Sequence, residues 1–271
     1  MTFAENQEIG EWSVRKLQFL ESYLSQYLKA TKTAMYKYYI DCFAGTTEYI
    51  HKKSRDIIPG SATIALNLNI SEKFDEYFFI EIDPIRIEAL ENLKLIHPDK
   101  NITIMKGNCN DLVPQILKKI NLKSPVFIFL DTDGLHIKWN TLTIASKWHS
   151  EFLINLPFYM SIKRQMPWDE NKMQETSATT INEFYGTDEW RAILYDAAKS
   201  KKQINHDLIH LYEQKLKSLG FKYVLFSDTF SSSTGNKLYY LVFAGNHDAG
   251  MKIMKHIFTK QFNPQGQLFD L

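Results

Sequence analysis

Five times between residues 36 and 158 an apolar, β-rich run breaks off in small, acidic or amide side chains, and helical patterns separate the runs. The runs are YKYYIDCFAG (36–45), EYFFIEIDP (76–84), NITIMKGNCND (101–111), PVFIFLDTDG (125–134) and EFLINLPF (151–158). Between them PGSATIALNLNI (59–70), IRIEALENLKLI (85–96), LVPQILKKI and the stretch from Trp139 to Trp148 read as helices. Such alternation implies a parallel sheet with helices on both faces, because parallel neighbours need a crossover.

Residues 162–219 break the rhythm and read as a helical insertion rich in charge, Trp and Tyr. KYVLFSD (222–228) and NKLYYLVFAG (236–245), joined by the turn-like TFSSSTG, then read as a terminal antiparallel hairpin. Upstream, Val14, Leu17, Leu20, Leu24, Tyr27 and Leu28 recur at helical spacing, so residues 1–33 form an N-terminal helical extension. The expected fold class is α/β, a doubly wound, mostly parallel sheet in a single domain over residues 1–271. Five parallel strands closed by an antiparallel pair are the Rossmann-like arrangement of class I methyltransferases.

Composition narrows the function classes. The 44% hydrophobic content excludes a disordered polymer, and two cysteines are too few for a disulfide scaffold or a Cys-rich zinc or iron–sulfur site. No uncharged apolar run approaches the ~20 residues of a membrane helix, and MTFAENQEIGEW is not a signal peptide, so the chain reads as soluble and cytoplasmic. A net charge of +1 supplies no global field for a polyanion, so any nucleic-acid partner must be held by local patches. The phosphate-loop pattern GxxxxGK[ST] is absent.

In open α/β sheets ligands bind beyond the carboxyl ends of the strands. The first end supplies Asp41, Phe43, Ala44, Gly45 and Thr46, where Gly45 allows a sharp turn and close approach to a ligand. Glu81 ends the second, placed to accept both ribose hydroxyls of S-adenosylmethionine or to cap a helix, a role that suits Asp83 better. Asn108 and Cys109 follow the third; Asn108 reads as an adenine contact or as an Asx turn. Asp131 follows the fourth and either holds the ammonium of the cofactor's methionine, faces the methyl acceptor, or shapes a turn with Asp133 and Gly134. Asp133 is the candidate proton acceptor. The turn Asn155-Leu156-Pro157-Phe158 reads as a substrate contact or as structure. Past it, Phe158, Tyr159, Lys163, Arg164 and Trp168, with Lys199, Lys201 and Lys202, form either an aromatic, cationic lip over this edge or an insertion core with a solvated charged face. His206 and His210 read as exposed helix histidines. Cys42 and Cys109 lie too far apart for a disulfide and line the pocket. No metal site is expected.

YYIDCFAG, PGSATIAL, FFIEIDP, GNCND, FLDTDG and INLPF, in this order, resemble the three-Cys-motif partner family (TcmP). EWSVRKLQFLESYL, FYGTDEW and YYLVFAGNHDAGMKIM extend the resemblance nearly end to end. It implies a protein similar to S-adenosylmethionine-dependent methyltransferases, paired with a radical-SAM-type protein bearing a three-cysteine motif. Three positions depart from the family pattern. Gly45-Thr46-Thr47 lacks its second Gly and Pro, Asn108 stands for an Asp, and Thr132 stands for a Pro. The expected function is a methyltransferase acting on nucleic acid or a nucleotide-like substrate; the alternative is a non-catalytic partner protein.

Overall fold

The computed structural model describes residues 7–232 and 234–262. The expectations for residues 1–6, 233 and 263–271 lie outside them. In chain order, β1 (Glu8–Ile9) and α1 (Glu11–Ala30) precede β2 (Tyr38–Asp41), and β3 (Glu48–His51) and β4 (Ile57–Pro59) precede α2 (Ser61–Leu66). Then β5 (Glu76–Glu81), α3 (Pro84–Ile96), β6 (Ile102–Lys106), α4 (Cys109–Leu117), β7 (Val126–Leu130), α5 (Trp139–Ala145) and β8 (Ser150–Leu156) alternate. A π-turn (Phe158–Ile162), α6 (Lys163–Gln165), α7 (Glu175–Tyr185), α8 (Trp190–Leu194) and α9 (Lys201–Ser218) follow. The chain ends in β9 (Tyr223–Phe226), β10 (Phe230–Ser231), β11 (Lys237–Gly245) and α10 (Asp248–Phe262).

The main sheet runs β6-β5-β2-β7-β8-β11, with β9 and β10 both on the outer edge of β11. Strands β2, β5, β6, β7 and β8 are parallel, and β11 pairs antiparallel with β8, β9 and β10. The fold is therefore the expected mixed α/β, mostly parallel, doubly wound sheet. The strand order reverses at β2, which opens a crevice between the carboxyl ends of β2 and β7.

Side chains alternate across the strands and divide the core in two. On one face Tyr39, Tyr77, Phe79, Phe127, Phe129 and Phe243 pack under α1, α2, α3 and α10. On the other, Ile40, Ile80, Ile128, Leu130, Ile154 and Val242 pack under α4, α5 and α7–α9. Helix α1 lays Phe19, Tyr23 and Tyr27 onto the aromatic face, and Tyr23 meets Phe127 and Phe243 at 5.3 and 5.5 Å between ring centroids. Tilted aromatic contacts of this kind add ~0.5–1.5 kcal/mol each beyond area burial. The segment 162–219 packs into the aliphatic cluster through Ile181, Phe184, Trp190, Leu208 and Tyr212.

Two helices are shorter than their apolar patterns: α2 stops at Leu66 and α5 at Ala145. A three-stranded satellite sheet, β1-β3-β4, was not anticipated. It fills the stretch between the first strand and its helix. Gly60 locks the return, donating its N–H to the Thr47 carbonyl at 2.8 Å, and a Cβ there would sit 2.1 Å from the Thr46 carbonyl oxygen. Only glycine lets the loop after β2 lie against the start of α2.

Glu151, the second residue of β8, is a carboxylate inside this core, 4% exposed and bonded by the Tyr23 hydroxyl. Burial pushes its pKa from 4.5 up to about 7, against the opposing effect of that hydrogen bond. The native state therefore holds its proton more tightly than the unfolded chain. The stability contributed is complete below about pH 4.5 and is lost as pH rises through about 7. Urea unfolding of the wild type should weaken between pH 5 and 7.5 by more than that of Glu151→Gln. Parallel pH profiles would refute the assignment.

Candidate active site

One cavity of about 790 Å³ opens along the carboxyl edge of the sheet. Ligand sites span ~300–1,000 Å³. Phe43, Gly45, Glu81, Asn108, Cys109, Asp131, Asp133 and Asn155 all line it. The structure thus brings one or more expected residues from every strand end into a single hollow.

Gly45 turns the chain with φ +60°, a conformation costly for side chains with a Cβ. Its N–H donates to Glu81 Oε2 at 2.9 Å. Glu81 Oε1 accepts from the Ile82 and Asp83 N–H groups at 2.7 and 3.0 Å, and the Arg86 guanidinium stands 3.9 Å from Oε2. A carboxylate offers about four lone-pair sites. Three are used, so Glu81 is held rigidly with one left for a ligand. Asp83 caps α3, accepting from the Ile85 and Arg86 N–H groups. Asn108 caps α4 through Oδ1, which accepts from the Asn110 N–H at 2.9 Å. Its carbonyl serves the turn while its residue lines the cavity.

Asp131 is bound by a residue the sequence reading missed. Lys16 of α1 donates to Asp131 Oδ1 at 2.5 Å, with the two side chains 12% and 19% exposed. Asn155 Nδ2 donates to the same oxygen at 3.0 Å and to the Thr132 carbonyl at 3.0 Å. The amide oxygen of Asn155, a residue of the cavity wall, is buried without a hydrogen-bond partner. Trp12, Tyr49, Met160, His136 and Tyr239 complete the wall. Lys16 had a legible signal: it shares the stripe of Leu20, Tyr23 and Tyr27, where a lysine is out of place unless paired.

Several expected residues stand elsewhere. Asp41, Ala44 and Thr46 lie beneath the cavity floor, not on it. Asp41 is fully buried, and burial pushes its pKa up to about 7 despite hydrogen bonds from the Ser61 hydroxyl, the Phe43 N–H and the Tyr39 hydroxyl. Pro157, Phe158, Lys163 and Arg164 do not line the cavity. The π-turn causes this: its wide winding sends Phe158 fully into the core and leaves Met160 at the cavity. Lys163 instead caps the Trp168 ring at 3.9 Å, with Lys201 5.1 Å from the same ring. Burial and the Lys201 charge push the Lys163 pKa down to about 8. Lys199 is paired with Asp196 and Asp207.

Asp133 is 91% exposed at the rim, 3.5 Å from His136 Nε2. Cys42 and Cys109 are both free. Burial raises the Cys42 thiol well above its usual range and the Cys109 thiol to about 12, so neither offers a thiolate. Among the described residues no three His, Cys, Asp or Glu side chains converge to hold a metal, and no helix is long and apolar enough to cross a membrane.

No protein-family model matches the chain, and no curated protein matches its sequence significantly. Solved structures do resemble it. A Legionella pneumophila protein described by the DUF519 family model is 12% identical with a TM-score of 0.55, over 92% of this chain and 94% of that one. Trm1 from Pyrococcus horikoshii, in complex with S-adenosyl-L-methionine, is 9% identical with a TM-score of 0.46, over 88% of this chain and 58% of that one. An O-methyltransferase from Bacillus cereus, in complex with SAH, is 12% identical with a TM-score of 0.43, over 88% and 82%. At 12% identity the likeness to the Legionella protein is one of fold.

The Lys16–Asp131 bond ties α1 to the sheet edge. Lys16→Met should cost ~1–3 kcal/mol in chemical denaturation at pH 7, the range for a charged hydrogen bond. A double-mutant cycle with Asp131→Asn should show strong non-additivity; additive losses would mean that the pair is not coupled.

Proposed function

We propose that the chain is an S-adenosylmethionine-dependent methyltransferase. The observation that carries this reading is the convergence of five strand ends on one cavity. The residues present fit the cofactor. Glu81 has one lone-pair site for a ribose hydroxyl, and Asn108 and Cys109 border the adenine side. At the other end Lys16 offers an ammonium for the cofactor's carboxylate, and Asp131 a carboxylate for its ammonium. When bound, the cofactor supplies a methyl group made electrophilic by the sulfonium.

The protein's part is positioning and exclusion of water, since displacement at a methyl needs an aligned, desolvated acceptor more than covalent help. Asn155, bonded to Asp131 through Nδ2, would hold that carboxylate in place beside the acceptor. Asp133, exposed at the rim, would take the released proton. A nucleic-acid or nucleotide-like substrate is our reading of the acceptor class. It is supported by Lys52, Arg86 and Lys138 along the cavity and by Trp168 flanked by two lysines that could stack and neutralise a nucleotide outside it.

A second reading, a non-catalytic partner of a radical-SAM-type three-Cys-motif protein, draws on the resemblance to that family. One observation favours it: most of the bonding capacity of Glu81, and one oxygen of Asp131, is already used within the chain by backbone N–H groups and by Lys16 and Asn155.

Calorimetry separates the two. The enzyme reading expects saturable binding of S-adenosylmethionine that weakens at least ~10-fold in Glu81→Ala, the loss of a charged hydrogen bond. It also expects tritium transfer from labelled cofactor to RNA, DNA or nucleotides, lost in Asp131→Ala. Absence of binding at millimolar ligand would overturn it and leave the partner reading.

A further inference from the structure

A second cavity, of about 270 Å³, lies at the opposite end of the sheet. It is lined by Tyr23 and Tyr27 of α1, Lys123, His149 and Glu151 beside and within β8, and His247 and Gly250 at the start of α10. None of these residues borders the carboxyl-edge site. The two histidines come from segments 98 residues apart, yet their Nε2 atoms face each other in direct contact, with ring centroids 4.4 Å apart.

We propose that His149 and His247 form a two-histidine site for a divalent transition-metal ion, Zn²⁺ in the first place, with water from the adjoining cavity filling its remaining positions. Imidazole nitrogen suits such borderline cations. The orientation of His149 is that of a ligand. Its Nδ1 lies 3.2 Å from the Lys123 carbonyl oxygen, which accepts only, so Nδ1 carries the hydrogen and the lone pair sits on Nε2. A backbone carbonyl holding the far nitrogen is the usual support of a metal-bound histidine. In the metal-free chain His247 Nε2 donates the one hydrogen between the rings. A cation replaces that hydrogen, which passes to Nδ1 of His247, so neither imidazole changes its charge; Zn–N bonds of ~2.0–2.1 Å require the two rings to part from direct contact to admit it.

The surroundings supply what a two-ligand site lacks. No third His, Cys, Asp or Glu completes the set among the described residues, so the ion must keep water. The cavity has room for several, at ~30 Å³ each. Glu151, whose carboxylate can bond such water, lines the same cavity. Lys123 is the opposing charge in the cavity wall. The chain's other close histidine pair is differently disposed. His206 and His210 face Asp207 and Glu213 through Nδ1, and His210 Nε2 meets Gln214, so the lone pair of His210 is engaged and only that of His206 is left to a ligand. An ion between His149 and His247 would fasten the start of α10 to the amino end of β8.

The test is titration of the tag-free chain with ZnCl₂ at pH 7.5, by calorimetry and by thermal unfolding. The expected result is one ion per chain and a rise in Tm. His149→Ala and His247→Ala should each weaken binding at least ~10-fold, a floor set by what losing even a supporting partner of a metal ligand costs. The double variant His206→Ala/His210→Ala should bind as the wild type does. Circular dichroism checks that each variant is folded, and His247→Gln stands in if His247→Ala is not. No Zn²⁺ binding, binding unchanged in the His149 and His247 variants, or binding lost with His206 and His210 would each overturn the proposal.

Discussion

A strand covered on both faces has nowhere to keep a polar side chain except at its ends. Every residue of β7 and β8 is buried, and β7 reads Val-Phe-Ile-Phe-Leu without interruption. Because the five central strands are parallel, their carboxyl ends lie along one edge, and the acids and amides that stop them are gathered there by geometry alone. The two acids that violate the rule most deeply, Asp41 and Glu151, carry the penalty as raised pKa values of about 7 each. One closes β2 beneath the main cavity and the other opens β8 beside the small one. Burial of charge is thus confined to the two ends of the sheet, and both ends have cavities.

Helix α1 couples those ends. Lys16 and Tyr23 are seven residues apart, two turns or ~10 Å along one stripe. Lys16 reaches Asp131 just past the end of β7, while Tyr23 reaches Glu151 near the start of β8. The aromatic packing along the same helix, Phe19 on Phe230 and Phe258 and Tyr27 on Phe74, fixes its height over the sheet. A helix held at both ends cannot shift at one without loading the other. The seating of α1 is therefore part of the shape of the carboxyl-edge cavity, although none of its residues belongs to a strand end.

What could be read in advance follows from this. The apolar, β-rich runs and intervening helices specify the sheet and its order of connection, since crossover geometry leaves few alternatives. Strand ends point to the site because their position is set by the backbone. Side-chain direction in irregular segments is different. Nothing in Asn155-Leu156-Pro157-Phe158 reveals that a π-turn will bury Phe158 and present Met160. Nothing in YIHKKSRDIIP reveals that two short strands will pair with each other and the first of them with Glu8–Ile9, a match of segments some 40 residues apart in sequence. Lys16 was legible only as an exception, a charge on a stripe otherwise meant for the sheet; its partner depends on tertiary placement. The partner of Lys16 and the satellite sheet rest on contacts between distant segments, and local pattern carries no information about those.

The site's acids have consequences for what can enter. A ligand that needs Glu81 or Asp131 must share or displace bonds already made by Gly45, Ile82, Asp83, Lys16 and Asn155. Exchange of one hydrogen bond for another yields little net free energy. The acids therefore act first on the framework: Glu81 fixes the loop after β2, and Asp131 fixes both α1 and Asn155. Any ligand gains its free energy chiefly from contacts these internal bonds leave unmade.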